Sequence, residues 1–163
     1  MSLRSVIHTL HRPGTATEAL PAPIAGNVPD AAKSLSGSLA LRHVDAGSCN
    51  GCELEISSAF GPVYDVERFG VRLVASPRHA DAVLVTGPVT RNMSGPLVKT
   101  VDAMPQPRLV IALGDCARDC GMFRGGYGVE GAVGEVVPVD VSIPGCPPHP
   151  EVIIQALRGL TNR

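Results

Sequence analysis

The sequence predicts an α/β fold in which an open, mostly parallel sheet carries helices on both faces. Three observations support this prediction. From residue 38 onward, short apolar runs of strand type alternate with segments of helical spacing. The run "RLVIALG" is almost wholly apolar, which is typical of a parallel strand covered on both faces. The regular alternation indicates strand–helix–strand units, whose crossover helices cover the sheet.

The first four elements occupy residues 38 to 87. Leu39 and Leu41 alternate and are followed by Val44, which predicts a strand in "SLALRHVDA". The apolar spacing of "CELEISSAF" predicts a helix. Two short apolar runs, "VRLVAS" and "DAVLVTG", predict further strands, of which the second ends at Gly87.

The remaining elements occupy residues 94 to 160. "SGPLVKTVDAM" predicts a helix with Ser94 as its N-cap and Pro96 in its first turn. "RLVIALG" (108–114) and "EVVPVDV" (135–141) predict two strands. The second lies at an edge or a bulge, because Pro138 lacks an N–H. "HPEVIIQALRGL" closes the region as a helix that His149 caps.

Residues 1–37 differ from the rest of the chain. They are rich in Ala, Pro, Gly and Ser and show no sustained apolar period. We interpret them as an extension with little core of its own, either loose or laid along a partner. Residues 38–163 then form the folded domain, since 163 residues is the length of one domain.

Composition excludes several classes of function. A formal charge of −1, without arginine or lysine runs, gives no attraction for nucleic acid or anionic lipid. No Trp is present, so stacking platforms for bases are absent, and no apolar run approaches the length of a membrane-spanning helix. Five cysteines cannot close a complete disulfide framework, which favours metal or redox chemistry in a reducing cytoplasm.

Three groups of cysteines follow three predicted strands. Cys49 and Cys52 come after "SLALRHVDA", Cys116 after "RLVIALG" and Cys146 after "EVVPVDV". The carboxyl ends of parallel strands meet at one edge of the sheet, and open α/β sheets bind ligands at that edge. The cysteines are therefore expected to converge.

The residues around these cysteines suit a metal–sulfur centre. Gly51 lets the C-x-x-C segment turn tightly, and Gly47 and Ser48 offer hydrogen-bond donors to sulfur. Pro147 stiffens the "GCPP" loop, and a Cys-Pro pair also occurs in ferredoxin cluster loops. Thiolates are soft ligands that suit iron–sulfur clusters or zinc.

Alternatives remain open on the residues alone. A C-x-x-C pair also marks thioredoxin-like redox proteins and zinc sites. Further cysteines at the same edge argue against the first, and the lack of a second C-x-x-C or of paired histidines argues against the second. Spacing therefore favours iron–sulfur modestly over zinc. Cys120, four residues after Cys116, is interpreted as a small buried thiol or one beside the centre.

Four motifs in order carry a family resemblance: "CNGCELE", "SPRHADAVLVTGPVTRNM", "ALGDCA…CGMFRGGYGV" and "IPGCPPHPEVIIQAL". Over roughly residues 40 to 160 they resemble the small subunit of nickel–iron hydrogenases, in the membrane-bound, energy-converting and formate-hydrogenlyase branch. The cluster-bearing 20 kDa subunit of complex I is a relative. Adjacent cysteines stand in its first motif, whereas this chain has C-N-G-C, which favours the hydrogenase branch.

The resemblance implies a flavodoxin-like domain that holds one 4Fe–4S cluster beside a large catalytic subunit, which carries the nickel. The family's ligand pattern maps onto Cys49, Cys52, Cys116 and Cys146, while Cys120 falls where relatives commonly have a small residue. The implied role is electron transfer in hydrogen oxidation or proton reduction. Further implied partners are a ferredoxin-like iron–sulfur subunit and membrane subunits, which would hold this cytoplasmic chain on the inner face of the cell membrane.

Other polar residues near the cysteines have two interpretations. Glu55 could relay protons beside the cluster, but Glu53 and Glu55 both suit the first turn of a helix, where the dipole favours acids. We prefer the dipole interpretation for Glu53. His43 is interpreted as a single histidine at a surface or edge position. Arg91 either offsets charge at the cysteine edge or is an ordinary surface arginine.

Three functions therefore compete. The first is an electron-transfer subunit of a nickel–iron hydrogenase, and the second is the cluster-bearing subunit of a complex I-type NADH:quinone oxidoreductase. The third is a zinc-binding or interaction domain without redox chemistry. Metal analysis separates the third from the others, and the co-purified large subunit separates the first two.

Overall fold

The computed structural model describes residues 37–163. The predicted extension over residues 1–37 lies outside the described residues, apart from Gly37, and remains a prediction. Everything that positions the cysteines falls within the described range.

Five short strands form one parallel sheet, as the sequence predicts. They are β1 (Leu39–Asp45), β2 (Val71–Leu73), β3 (Ala82–Thr86), β5 (Leu109–Leu113) and β7 (Val141–Ile143). Their order is β2-β1-β3-β5-β7, and every neighbouring pair is parallel. This is the flavodoxin-like order, in which the chain turns to opposite sides after β1 and β3. β4 (Val89–Thr90) and β6 (Val129–Gly131) form a separate antiparallel pair.

Helices cover both faces of the sheet. They are α1 (Gly51–Ala59), α2 (Arg91–Asp102), α3 (Asp115–Asp119), α4 (Val133–Val136) and α5 (Pro150–Thr161). Residues of α1 and α5 share one buried apolar cluster with alternate strand residues, and residues of α2, α3 and α4 share a second. Because both faces are covered, β3 and β5 are buried at every position, as their continuous apolar runs predict.

The start of α2 differs from the prediction. The helix begins at Arg91, so the expected N-cap Ser94 lies inside it and Thr90 occupies the cap position in an extended conformation. Thr90 is also the last residue of β4, and the N–H of Arg91 donates to the carbonyl of Gly128. Pairing of β4 with β6 therefore fixes where the helix starts.

The predicted strand over 135–141 is largely wrong. Part of it forms the short helix α4, because Val133 and Val137 are buried in the second apolar cluster. Pro138 cannot donate to a ladder. Pairing with β5 begins at Asp140, whose N–H donates to the Val110 carbonyl and whose carboxylate accepts the Val110 N–H. The strand thus moves toward Cys146 without changing which edge that cysteine reaches.

Among the helices of residues 37–163, none combines the length and apolar character needed to cross a membrane.

Candidate metal centre

The carboxyl edge of the sheet gathers the cysteines that the sequence places there. Cys49 and Cys52 follow β1, Cys116 lies in α3 directly after β5, and Cys146 follows β7. The chain leaves β1 and β3 toward opposite sides of the sheet, which opens a crevice at their ends. The first two cysteines enter the site at this crevice.

The loop before the C-x-x-C segment is shaped by Asp45 at the end of β1. One carboxylate oxygen accepts the N–H groups of Gly47 at 2.9 Å and Ser48 at 2.8 Å. Gly47 has a φ of 139°, and a Cβ there would overlap the Thr90 side chain. Only glycine therefore lets this loop lie against the chain that leads into α2.

Glycines also let the loops approach the thiols. Gly114 has a φ of 90°, and a Cβ there would lie 2.8 Å from the Cys52 sulfur. A Cβ added at Gly51 would lie 3.6 Å from the Cys49 sulfur and 3.7 Å from the Pro147 ring. Gly51 and Pro147 thus bring the first and last cysteine loops together, as the sequence analysis expects of residues beside the centre.

Four thiols act on one another electrostatically. Burial, followed by the negative charges of Glu53 and of Cys116, Cys49 and Cys146, raises the pKa of Cys52 to about 12. Burial is also the first cause that raises the pKa of Cys116, followed by the charges of Cys146 and Cys49. A hydrogen bond joins the Cys116 and Cys146 side chains. The four thiols therefore share one environment, in which thiolates repel unless a cation is present.

Cys120 belongs to a different environment. It is 2% exposed and ends α3 in the left-handed conformation, with a φ of 66°. Burial raises the pKa of its thiol, and the neighbouring charges that act on it come from Arg124, Glu135 and Asp119 rather than from a cysteine. The structure thus brings four cysteines together and sets the fifth apart.

The donor set fits an iron–sulfur cluster. Four thiols, two of them exposed at Cys49 and Cys146, converge on one edge with glycine backbone close to the sulfurs. Within residues 37–163, no three His, Cys, Asp or Glu side chains are grouped closely enough to hold one metal ion. A four-iron cluster binds each thiolate to a separate iron, so its ligands stand farther apart than those of one ion.

A polar network that the sequence analysis missed lies behind the C-x-x-C segment. Ser48 donates to Glu53 Oε2 at 2.6 Å, and Thr86 at the end of β3 donates to Glu53 Oε1. His43 of β1 is bonded to the Thr86 hydroxyl at 3.0 Å and lies 3.6 Å from Glu53 Oε1. A threonine ending an otherwise apolar buried strand was the one signal of this network in the sequence.

Other predicted polar residues have the following positions. His43 has partners, so its interpretation as an isolated histidine is wrong. Glu55 is half-buried on α1, and its carboxylate makes no hydrogen bond or ion pair with any residue from 37 to 163. Arg91 is exposed at the start of α2. His149 caps α5 as predicted, its Nδ1 accepting the N–H of Glu151 at 3.4 Å.

The chain is similar to subunits of hydrogenases and respiratory complexes. A family model described as "NADH ubiquinone oxidoreductase, 20 Kd subunit" matches residues 49–160. Formate hydrogenlyase subunit 7 of Escherichia coli is 47% identical over 118 residues, which are 72% of this chain and 46% of that protein. Probable membrane-bound hydrogenase subunit mbhJ of Pyrococcus furiosus is 51% identical over 116 residues, 71% of this chain and 69% of that protein. The chain thus spans about half of the first relative and about two thirds of the second.

A solved structure shows the same arrangement of elements. A chain of the membrane-bound sulfane sulfur reductase, an archaeal respiratory membrane complex, superposes with a TM-score of 0.69 at 31% identity. The match covers 80% of this chain and 72% of that chain. The fold described above is therefore shared with a subunit of a membrane complex.

Proposed function

Because the chain belongs to the family of the 20 Kd subunit of NADH ubiquinone oxidoreductase, we propose that it is the electron-transfer subunit of a membrane-associated nickel–iron hydrogenase complex. Members of this family are iron–sulfur proteins and subunits of oxidoreductase complexes. The finer proposal is one 4Fe–4S cluster beside a large catalytic subunit. The observation that carries it is the convergence of four cysteines from three loops, with the fifth in separate surroundings.

The proposed ligands are Cys49, Cys52, Cys116 and Cys146. When bound, the cluster supplies reversible uptake of one electron. The chain contributes the thiolates, the glycines that admit the cluster and the fixed geometry of the loops. Because the pKa of Cys52 is about 12, its thiol is protonated at neutral pH until iron displaces the proton. Loading therefore releases protons.

The face around the cluster is proposed to be covered by the large subunit. Cys49 and Cys146 are exposed, and apolar side chains in the segments beside the cysteines are exposed as well. Leu54 follows the C-x-x-C segment at 68% exposure, and Met122 and Tyr127 follow α3 at 86% and 92%. Large apolar side chains at such exposure favour a partner surface, and a covered cluster is protected from water and oxidants.

The hydrogenase branch is favoured over the complex I branch by two observations. The first motif reads C-N-G-C rather than adjacent cysteines, and relatives named as hydrogenase subunits are 47% and 51% identical. The complex I-type NADH:quinone oxidoreductase subunit remains the second candidate, since the family model carries that name. A ferredoxin-like subunit and membrane subunits complete the proposed assembly, with this chain peripheral on the cytoplasmic face. Glu55 is retained as a candidate proton relay, and residues 1–37 as an extension without ligands.

The test is purification of the intact complex through a tag on this chain. We expect a co-purified large subunit with cysteine pairs that bind nickel, nickel in the metal analysis, a 4Fe–4S resonance signal and hydrogen-dependent dye reduction. A large subunit without nickel, together with NADH-dependent quinone reduction, would assign the chain to the complex I branch. Zinc without iron in this chain would overturn both assignments.

A further inference from the structure

The carboxylate of Glu53 is fixed in place directly behind the proposed cluster. Glu53 follows Cys52 in α1 and is 19% exposed at its side chain. We propose that Glu53 is a positioning residue for charge: its fixed carboxylate lowers the reduction potential of the cluster. This inference rests on the proposed function, since it assumes that the four cysteines hold a cluster.

The direction of each hydrogen bond follows from the donors available. A carboxylate only accepts, so the Thr86 hydroxyl must give its one proton to Glu53 Oε1. Thr86 Oγ1 then accepts from His43, which places the His43 proton on Nε2. On the other side, the Ser48 hydroxyl donates to Oε2 and accepts the Asn50 N–H at 3.1 Å. Both carboxylate oxygens are therefore held, and the group cannot swing into solvent.

The charge of this carboxylate is not offset by a cation. Desolvation lowers the pKa of His43 below its usual 6.5, against the opposing effects of Glu53 and Asp45, so the imidazole is neutral at neutral pH. Among the ion pairs of residues 37–163, none joins Glu53 to an arginine or lysine. A net negative charge thus remains beside the site.

The effect of this charge is already evident at the neighbouring thiol. After burial, Glu53 is the largest contributor to the raised pKa of Cys52, because two negative charges repel at short range. Adding an electron to a cluster held by four thiolates makes it more negative. The same repulsion therefore disfavours the reduced cluster and lowers its potential.

The dipole of α1 gives a weaker account of Glu53. A dipole effect needs only an acid in the first turn, as Glu53 and Glu55 both supply. It does not explain why hydroxyls from β3 and from the loop before α1 converge on Glu53 alone of the two. The network joins β1, β3, the loop and α1 at one carboxylate.

The test is a redox titration of the purified full complex, followed by the resonance signal of the cluster assigned to this chain. The variants are Glu53→Gln, which keeps shape and removes charge, and Glu53→Asp, which keeps charge and shortens the reach. Glu67→Gln is the matched control, because Glu67 is exposed just before β2, at the opposite edge of the sheet. Iron content is measured for each sample.

Glu53→Gln is expected to shift the ratio of reduced to oxidised cluster about tenfold toward reduced at a fixed potential, equivalent to about 59 mV for one electron. Glu53→Asp should change the ratio less than about threefold and Glu67→Gln not at all, since in both the charge beside the cluster remains. A Gln variant with full iron and an unchanged or lowered potential overturns the proposal. So does a Gln variant that loses iron, because Glu53 would then hold the site rather than tune it. An iron-free wild-type complex would instead overturn the proposed function.

Discussion

Asp115 and Gly145 exchange two hydrogen bonds across the edge of the sheet. The Asp115 N–H donates to the Gly145 carbonyl at 2.8 Å, and the Gly145 N–H donates to Asp115 Oδ1 at 3.1 Å. Asp115 precedes Cys116 and Gly145 precedes Cys146, so this pair joins two of the proposed ligand loops. The relative position of those two thiols is therefore set by backbone and carboxylate rather than by a cluster alone.

Removing the Asp115 carboxylate should loosen the proposed site. Asp115→Ala leaves the Gly145 N–H without its charged acceptor, and such a hydrogen bond contributes about 1.5–3 kcal/mol. We expect faster loss of iron from the complex under chelator challenge. Asp115→Asn keeps an oxygen acceptor and should retain iron close to the wild-type rate. Equal iron retention in the Ala and wild-type complexes would show that the pair has no part in holding the centre.

Gly114 should tolerate no side chain. Its φ is 90°, and the Cβ of Gly114→Ala would lie 2.8 Å from the Cys52 sulfur, so the thiol must shift. Left-handed backbone adds about 1–2 kcal/mol of strain for a residue with a Cβ. Iron content of the variant complex should fall strongly.

Gly95→Ala is the matched control for Gly114→Ala. Gly95 lies within α2, and a Cβ there meets nothing within 4 Å. Alanine should raise stability by up to about 1 kcal/mol, seen as a higher thermal midpoint with unchanged iron. Full iron in Gly114→Ala would contradict the close approach of this backbone to the Cys52 sulfur.

His43 should make the stability of the chain depend on pH. Burial lowers the pKa of His43 in the folded state below 6.5, so below that pH the unfolded chain takes up the proton first. The state that binds more protons gains stability as pH falls, and here it is the unfolded state. Stability is therefore lost as pH falls from 6.5 through the lowered pKa.

The measurement compares thermal midpoints of the full-length wild-type chain and His43→Gln at about pH 7.5 and about pH 5.5. The Gln amide can still donate to Thr86 but does not titrate. We expect a smaller loss on acidification in the variant. An identical loss in both chains would mean that His43 is not the titrating group.

The location of the cysteines could be predicted because it follows from topology. Parallel strands carry their following residues to one edge, so apolar runs and the positions of Cys49, Cys116 and Cys146 sufficed to predict convergence. The strand over 135–141 failed for a local reason: Pro138 interrupts it, and its valines are needed by the second apolar cluster. Apolar content alone does not distinguish a strand from a short helix that packs on the same core.

The Glu53 network could not be predicted from spacing. His43, Ser48 and Thr86 lie on β1, a loop and β3, and their meeting depends on how α1 packs against strand ends. Local sequence gave Glu53 only a place in the first turn of a helix. Such contacts between distant segments appear only once the chain is folded.

The backbone at Cys120 predicts an order of stability among its variants. Cys120→Ala and Cys120→Gly both remove the buried thiol, but only glycine adopts a φ of 66° without strain. The Gly variant should therefore be more stable than the Ala variant by about 1 kcal/mol in thermal or denaturant unfolding of the full-length chain. Greater stability of the Ala variant would mean that the loop rearranges when the thiol is lost.

The central claim is that Cys116, and not Cys120, completes the cluster site with Cys49, Cys52 and Cys146. The most direct measurement is the iron content and the cluster resonance signal of tagged complexes that carry Cys116→Ala or Cys120→Ala. Cys116 shares its electrostatic surroundings with Cys146 and Cys49, whereas Cys120 is acted on by Arg124, Glu135 and Asp119. We predict that Cys116→Ala loses iron and signal while Cys120→Ala keeps both. Iron retained in Cys116→Ala and lost in Cys120→Ala would contradict the account, because the ligand would then be the thiol that the structure sets apart.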